Sequence, residues 1–180
     1  MIRSFIALSL PAAVQAALGD LAGQLAPQSQ GVKWVKPQSL HLTLRFLGDT
    51  APDQVPALAA GLDAIAAQQP AFPLRLGALG ACPNLQKARV LWVSLEDGSE
   101  HLPKLKQAVE NLALSLGWEP ETQEFKPHLT LGRVREGGSV SQEVPVIPPL
   151  AFQADQIELI ESRLKPSGPQ YLTLHQARLG

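Results

Sequence analysis

His41-Leu42-Thr43-Leu44-Arg45-Phe46-Leu47-Gly48 and His128-Leu129-Thr130-Leu131-Gly132-Arg133 are two copies of one pattern in a chain of 180 residues. Lys36-Pro37 precedes the first and Lys126-Pro127 the second, and the histidines stand 128 − 41 = 87 positions apart, about half the chain. One copy per half predicts a duplicated unit with pseudo-twofold symmetry. Each copy reads as a strand, in which successive side chains point to opposite faces. His41 and Thr43 then share one face, as do His128 and Thr130, while the leucines enter a core under a helix. If two such sheets face each other, two imidazoles and two hydroxyls converge on one cleft. Arg45 joins that face if its strand is regular. Arg133 does not share parity with His128 and Thr130, and a bulge or strand end at Gly132 would be needed to re-aim it.

Two histidines supply both halves of acid–base catalysis near neutral pH, since the free imidazole titrates near about 6.5. A neutral one takes a proton from the nucleophile, and a protonated one gives a proton to the leaving oxygen. Threonine hydroxyls and an arginine fork suit the oxygens of a phosphate. A lone strand histidine would more often be structural and Thr43 a β-branched residue in its favoured state, but that reading does not predict the repeat. A metal site needs a third and usually a fourth ligand. Neither strand carries Asp, Glu or Cys on the His-Thr face, so the expectation is no metal and no cofactor. His101, at a helix start, and His175, on a terminal strand, lack the motif context and read as surface or packing residues. Trp34, Trp92 and Trp118 read as core or cleft-wall residues.

Outward from the motifs, Ile2 to Leu10 reads as a strand, and Ala12 to Leu25 as a helix with the stripe Val14, Leu18, Leu21, Leu25. Gly31 to Val35 and Leu40 to Leu47 read as strands joined by a turn around Pro37 and Gln38. A helix from about Pro52 to Ala67 carries Val55, Leu58, Leu62 and Ile65. Phe72 to Ala81 and Arg89 to Leu95 are strand-like, and His101 to Leu116 is helical up to Gly117. His128 to Val134, Ile157 to Ile160 and Tyr171 to His175 are strands, with a Gly-, Ser- and Pro-rich loop from Gly137 to Pro149. Interleaved strands and helices with short connections predict an α+β, largely antiparallel class.

The composition, 45% hydrophobic and 17% charged, supports a sizeable core. A net charge of −1, from 15 basic and 16 acidic residues, excludes a coat for long nucleic acid and leaves a pocket for an end. Cys82 is the only cysteine, which rules out an internal disulfide and a cysteine zinc cluster, and it reads as a small buried hydrophobe. The N-terminus lacks the features of a signal peptide and no run is long enough to cross a bilayer, so a cytoplasmic protein is expected.

At these residues the chain resembles the 2H phosphoesterase superfamily, and in particular the bacterial RNA 2′,3′-cyclic phosphodiesterases, historically called 2′-5′ RNA ligases. The resemblance spans nearly the whole chain. It runs through Arg3-Ser4-Phe5-Ile6-Ala7 and Leu10-Pro11, both His-Leu-Thr-Leu motifs with Phe46-Leu47-Gly48 and Arg133, and Leu159-Ile160-Glu161-Ser162 with Leu164, Pro166, Gly168 and Tyr171. It implies a bilobal fold, one domain over residues 1–180 made of two intertwined lobes with the cleft between. It implies hydrolysis of a terminal RNA 2′,3′-cyclic phosphate to a 2′-phosphomonoester; small cyclic nucleotides are a further possible substrate, and a monomer is expected. By the same resemblance His41 is the proton donor and His128 the acceptor, while Thr43, Thr130, Arg133 and, less directly, Arg45 bind substrate. Sequence spacing alone leaves the two histidines interchangeable. The same residues would serve 2′-5′ ligation of tRNA halves, the reverse reaction; a function of another class, non-catalytic binding of RNA ends or cyclic nucleotides, is disfavoured because both motifs are intact.

Overall fold

Apolar stripes at three- and four-residue spacing place the helices. The computed structural model describes residues 1–180. In it α1 (Ala12–Leu25) buries Val14, Leu18, Leu21 and Leu25, α2 (Val55–Gln68) buries Leu58, Leu62 and Ala66, and α3 (His101–Ser115) buries Leu102, Leu105, Val109 and Ala113. Gly117, at φ +101°, takes the left-handed conformation that stops α3 at little steric cost.

Nine strands form two antiparallel sheets. The first has the order β3-β1-β8-β9, from β1 (Ile2–Leu8), β3 (Leu42–Thr50), β8 (Gln156–Lys165) and β9 (Gly168–Arg178). The second has the order β2-β6-β5-β4-β7, from β2 (Gln30–Trp34), β4 (Phe72–Cys82), β5 (Val90–Glu96), β6 (His128–Ser139) and β7 (Ala151–Ala154). The chain visits the first sheet, crosses to the second for β2, returns for β3, builds β4 to β7, and returns again for β8 and β9. Helix α2 lies on β8 and β9, and α3 lies against α2 and β3. A single cluster of 34 buried residues takes Leu42, Leu44 and Leu159 from one sheet and Leu91, Leu129 and Leu131 from the other, so the motif leucines meet in a shared core.

Three features of the elements go beyond the sequence expectation. β2 and β3 are not partners; a 3-10 turn, Pro37–Ser39, carries the chain from one sheet to the other. β6 continues through Gly137 and Gly138 to Ser139, into the expected loop. A Cβ on Gly138 would stand 2.6 Å from the Gln30 carbonyl oxygen, so this glycine serves close approach of β2. The four-residue β7 pairs with the edge of β4 and is too short to show a period. Cys82, expected to be buried, is exposed at the end of β4.

Both motif strands carry an extra residue at the same place. Ala7 of β1 faces Thr43 and Ile6 faces Arg45, leaving Leu44 without a partner. Trp92 of β5 faces Thr130 and Leu91 faces Gly132, leaving Leu131 without one. A bulge of this kind resets the alternation of side chains. Leu44 and Arg45 are therefore both buried and Phe46 turns out, while Leu131 and Gly132 are both buried and Arg133 turns out. Positions 45 and 132 are structural equivalents, as are 46 and 133. Gly132 is confined because a Cβ there would meet Val32 Cγ1 at 2.9 Å and the Lys33 carbonyl at 3.1 Å.

Arg45 is thereby turned from the face expected of a regular strand. Its Nε donates to Glu110 Oε2 at 2.7 Å, one terminal nitrogen donates to the Phe46 carbonyl at 2.7 Å, and the other donates to the Glu119 carbonyl. Glu110 Oε1 accepts from the Glu121 N–H, so one ion pair ties β3, α3 and the segment leading to β6. Burial pushes the Glu110 carboxyl up, but the Arg45 hydrogen bond, the Glu121 N–H and the charges of Arg45 and Lys106 outweigh this and hold it below the usual range. Glu110→Ala should lower the unfolding free energy by about 2 kcal/mol at neutral pH, since the buried guanidinium loses its nearest carboxylate and keeps Glu121 at 3.4 Å and two carbonyls. A depressed folded value means that this contribution is complete above the unfolded value of about 4.3 and disappears as pH falls through the folded one. Urea midpoints of wild type and variant should therefore converge as the pH is taken from 7 to below about 4.

Candidate active site

The two sheets leave between them a cleft of about 400 Å³ lined by His41, Thr43, His128, Thr130 and Arg133. The cleft therefore holds both His-Thr pairs, and the bulge at Leu131 brings Arg133 to the same face. Arg45 reaches the edge of the cleft with its nitrogens engaged as above. Lys33 and Lys36 line one side and Lys126 another, so the rim is basic although the chain as a whole is not.

The two imidazoles are held alike. His41 Nδ1 lies 3.0 Å from the Ser39 carbonyl, and His128 Nδ1 lies 2.6 Å from the Lys126 carbonyl, in each case two residues back along the chain. A carbonyl only accepts, so Nδ1 carries a proton in both rings. That fixes the tautomer and leaves both Nε2 atoms to handle protons. The same backbone contact recurs in both halves.

The surroundings of the two rings are unlike. His41 is half-buried among aromatic edges, with the Phe5 centroid at 6.4 Å and the Tyr171 centroid at 5.9 Å. Phe46, 66% exposed, lies against Phe5 at 5.9 Å and offers an open aromatic face beside the first motif. His128 is exposed beside Trp92, whose ring centroid is 6.1 Å away. Burial pushes the Tyr171 phenol up against the opposing pull of the Arg133 charge, so it stays a neutral hydroxyl at the cleft. Glu158 of β8 lies below His41, with Oε2 3.6 Å from Nε2. The His41 imidazole first, against burial and with donation from Gln176 and Gln156, holds the Glu158 carboxyl below its usual range.

Motif reading passed over Glu158, Phe46 and the inward face of Tyr171. Glu158 had a signal, a lone carboxylate inside the apolar run Ile157 to Ile160. Phe46 had none, because only the bulge turns it outward. His101 stacks on Phe72 at 5.7 Å, and His175 Nε2 lies 2.7 Å from Asp63, so neither belongs to the cleft. Trp118 donates its Nε1–H to the Leu47 carbonyl and buttresses the end of β3, while Trp34 lines the cleft.

Comparison with known proteins follows the same division of the chain. The family described as LigT like Phosphoesterase matches twice, over residues 8–92 and 93–171, with one His-Thr strand in each match. A Thermus thermophilus protein named RNA 2′,3′-cyclic phosphodiesterase is 34% identical over 188 residues, covering 98% of this chain and 90% of that one. One of the same name from Aeropyrum pernix is 30% identical over 167 residues, covering 89% and 94%. The crystal structure of TT0787 of Thermus thermophilus superposes with a TM-score of 0.87 at 32% identity, over 99% of this chain and 98% of that one. Escherichia coli LigT complexed with 3′-AMP superposes at 0.80 with 25% identity, over 99% and 98%. Two tandem matches, each carrying one anchored histidine of a shared cleft, place the chain in the LigT-like phosphoesterase family, among the 2H phosphoesterases.

Proposed function

We propose that the protein hydrolyses the terminal 2′,3′-cyclic phosphate of an RNA, or of a small cyclic nucleotide, to a 2′-phosphomonoester, with His41 as proton donor and His128 as proton acceptor and with no metal. The observation that carries this reading is the pair of identically anchored imidazoles, each beside a threonine, facing one cleft with a basic rim. Relatives that span nearly the same length bear the name of this activity, and LigT, of similar fold, has been crystallised with 3′-AMP.

In the proposed reaction His128 Nε2 takes a proton from water as the water oxygen bonds to phosphorus. The bond from phosphorus to the 3′ oxygen breaks, and His41 Nε2 delivers a proton to that oxygen. The phosphate stays on the 2′ oxygen, and the two rings end in exchanged protonation states, which solvent resets. Thr43 and Thr130 donate to the non-bridging oxygens, and the Arg133 guanidinium meets the charge that builds on them. Phe46, open beside Phe5, gives the nucleobase a surface to stack on. Arg45 takes part through the placement of β3.

Turnover of a 2′,3′-cyclic-phosphate oligonucleotide should persist in EDTA and yield only the 2′-phosphate. Loss of activity on chelation, restored by a divalent ion, would remove the metal-free mechanism. His41→Ala and His128→Ala should each lower kcat by about 10²–10⁴-fold, and the double variant should fall little further, because the two groups act in one step. Either single variant keeping wild-type turnover would end the two-histidine reading. Arg133→Ala should cost about 10²-fold in kcat/KM, with only partial return in Arg133→Lys, whose point charge lacks the planar fork.

A further inference from the structure

Glu158 is the only buried carboxylate in the protein, at 6% exposure, and the reaction above gives it no part. Burying a carboxylate is costly unless its lone pairs are met. Gln156 and Gln176 both donate to Oε1, at 3.1 and 2.9 Å. Oε2 receives neither amide and faces His41 Nε2 at 3.6 Å. That separation exceeds a hydrogen bond, so Nε2 remains free to reach a substrate oxygen, while the negative charge is still felt across it.

The other lobe is built without such a group. In the first sheet Thr43, Ala7 and Glu158 lie in one row across three strands, and in the second the corresponding row is Thr130, Trp92 and Gly80. Ala7 leaves the room that Glu158 fills. Trp92 takes that room in the second lobe, where a Cβ on Gly80 would stand 2.1 Å from its ring. No carboxylate forms an ion pair with His128; the histidines that do so are His41 and His175.

We propose that Glu158 is a positioning residue for the proton: its charge keeps the imidazolium form at His41 and so makes His41 the acid of the pair and His128 the base. This rests on the two-histidine reading above and supplies a ground for the roles within this chain's own residues. Other groups bear on the ring. From β9 the Tyr171 phenol is neutral, and from β1 Phe5 carries no charge. Lys33 of β2, Lys36 of the turn after it, and Arg133 and His128 of β6 line the same cleft. Glu124 lines it from the segment before β6, where Glu121 is already held by Lys106 and Arg45. The cleft cations oppose a proton on His41, and the carboxylate beneath the ring offsets them.

The test is the pH profile of kcat/KM on a 2′,3′-cyclic-phosphate dinucleotide, for wild type, Glu158→Gln and Glu158→Asp. The alkaline limb requires the acid to hold its proton. It should move to lower pH by about one unit or more in Glu158→Gln. The acid limb, set by His128, should stay in place. Rates would then differ about tenfold or more on the alkaline side and hardly at all on the acid side, and Glu158→Asp should lie nearer wild type. A profile that is unchanged, that falls evenly at every pH, or that moves at its acid limb overturns the proposal. Should Glu158→Gln fail to fold, ring-proton NMR of the wild type, assigned with His41→Asn and His128→Asn, decides the matter. His41 should keep its proton to higher pH than His128, and the reverse order overturns the assignment. Full turnover in His41→Ala or His128→Ala would sink the underlying reading and this proposal with it. Loss of turnover in both, with a Glu158→Gln profile that superimposes on wild type, would sink this proposal alone.

Discussion

Each motif strand carries an extra residue directly after its threonine, at Leu44 in β3 and at Leu131 in β6, and the contents of the cleft depend on that surplus. A regular strand would send position 45 outward with His41 and Thr43, and position 132 outward with His128 and Thr130. The bulge buries both and turns 46 and 133 out in their place. In the first lobe the buried position is an arginine, which the carboxylate of α3 and two carbonyls can satisfy. In the second it is a glycine, because β2 lies too close for any side chain. The outward positions then differ as well, an aromatic on one wall and a guanidinium on the other. One local irregularity, repeated, yields a cleft with a cationic side and an aromatic side.

The same frame fixes the rings. A carbonyl two residues before each histidine holds Nδ1, and the two contacts are equivalent across the pseudo-twofold relation. Both carbonyls belong to segments that enter the motif strands from lysine–proline pairs, and both strands root their leucines in one core. The placement of the two rings is thus tied to the packing of one core, the kind of fixed geometry that a paired acid and base would require.

Much of this was legible in the sequence. The repeat gave the two strands, the two lobes and the His-Thr pairs, because a period of two and a duplicated triplet are local signals. The helices were legible because Val14, Leu18, Leu21 and Leu25, and their counterparts in α2 and α3, keep the helical period. Register was not legible. The direction of Arg45 depends on how Ile6 and Ala7 pair with β3, a relation between distant segments that periodicity along one strand cannot encode. The possibility at Gly132 was visible because glycine marks bulges, and the equivalent bulge at Leu44 has no glycine to mark it. Gly138 misled in the other direction, as a residue that breaks strands in general but here admits a neighbouring backbone. Glu158 was legible only as an anomaly in an apolar run, with its target unknown until β8 was placed next to β1.

A duplicated fold delivers two equal histidines, whereas a reaction with one attacking and one departing oxygen needs unequal ones. Inequality therefore has to come from positions where the halves have diverged, and those are few. Positions 45 and 132 lie on the core side of their strands and act on the rings only through the backbone. Positions 46 and 133 sit five residues beyond the histidines and line the cleft away from the rings' Nδ1 anchors. The row across the sheets is different: Ala7 and Glu158 in one lobe, Trp92 and Gly80 in the other, each pair filling the same space beneath its threonine and histidine. One lobe fills it with charge and the other with an indole. Among the divergent positions this exchange of volume places an ionised group against one imidazole alone, and so it is the place where symmetry of backbone gives way to asymmetry of charge.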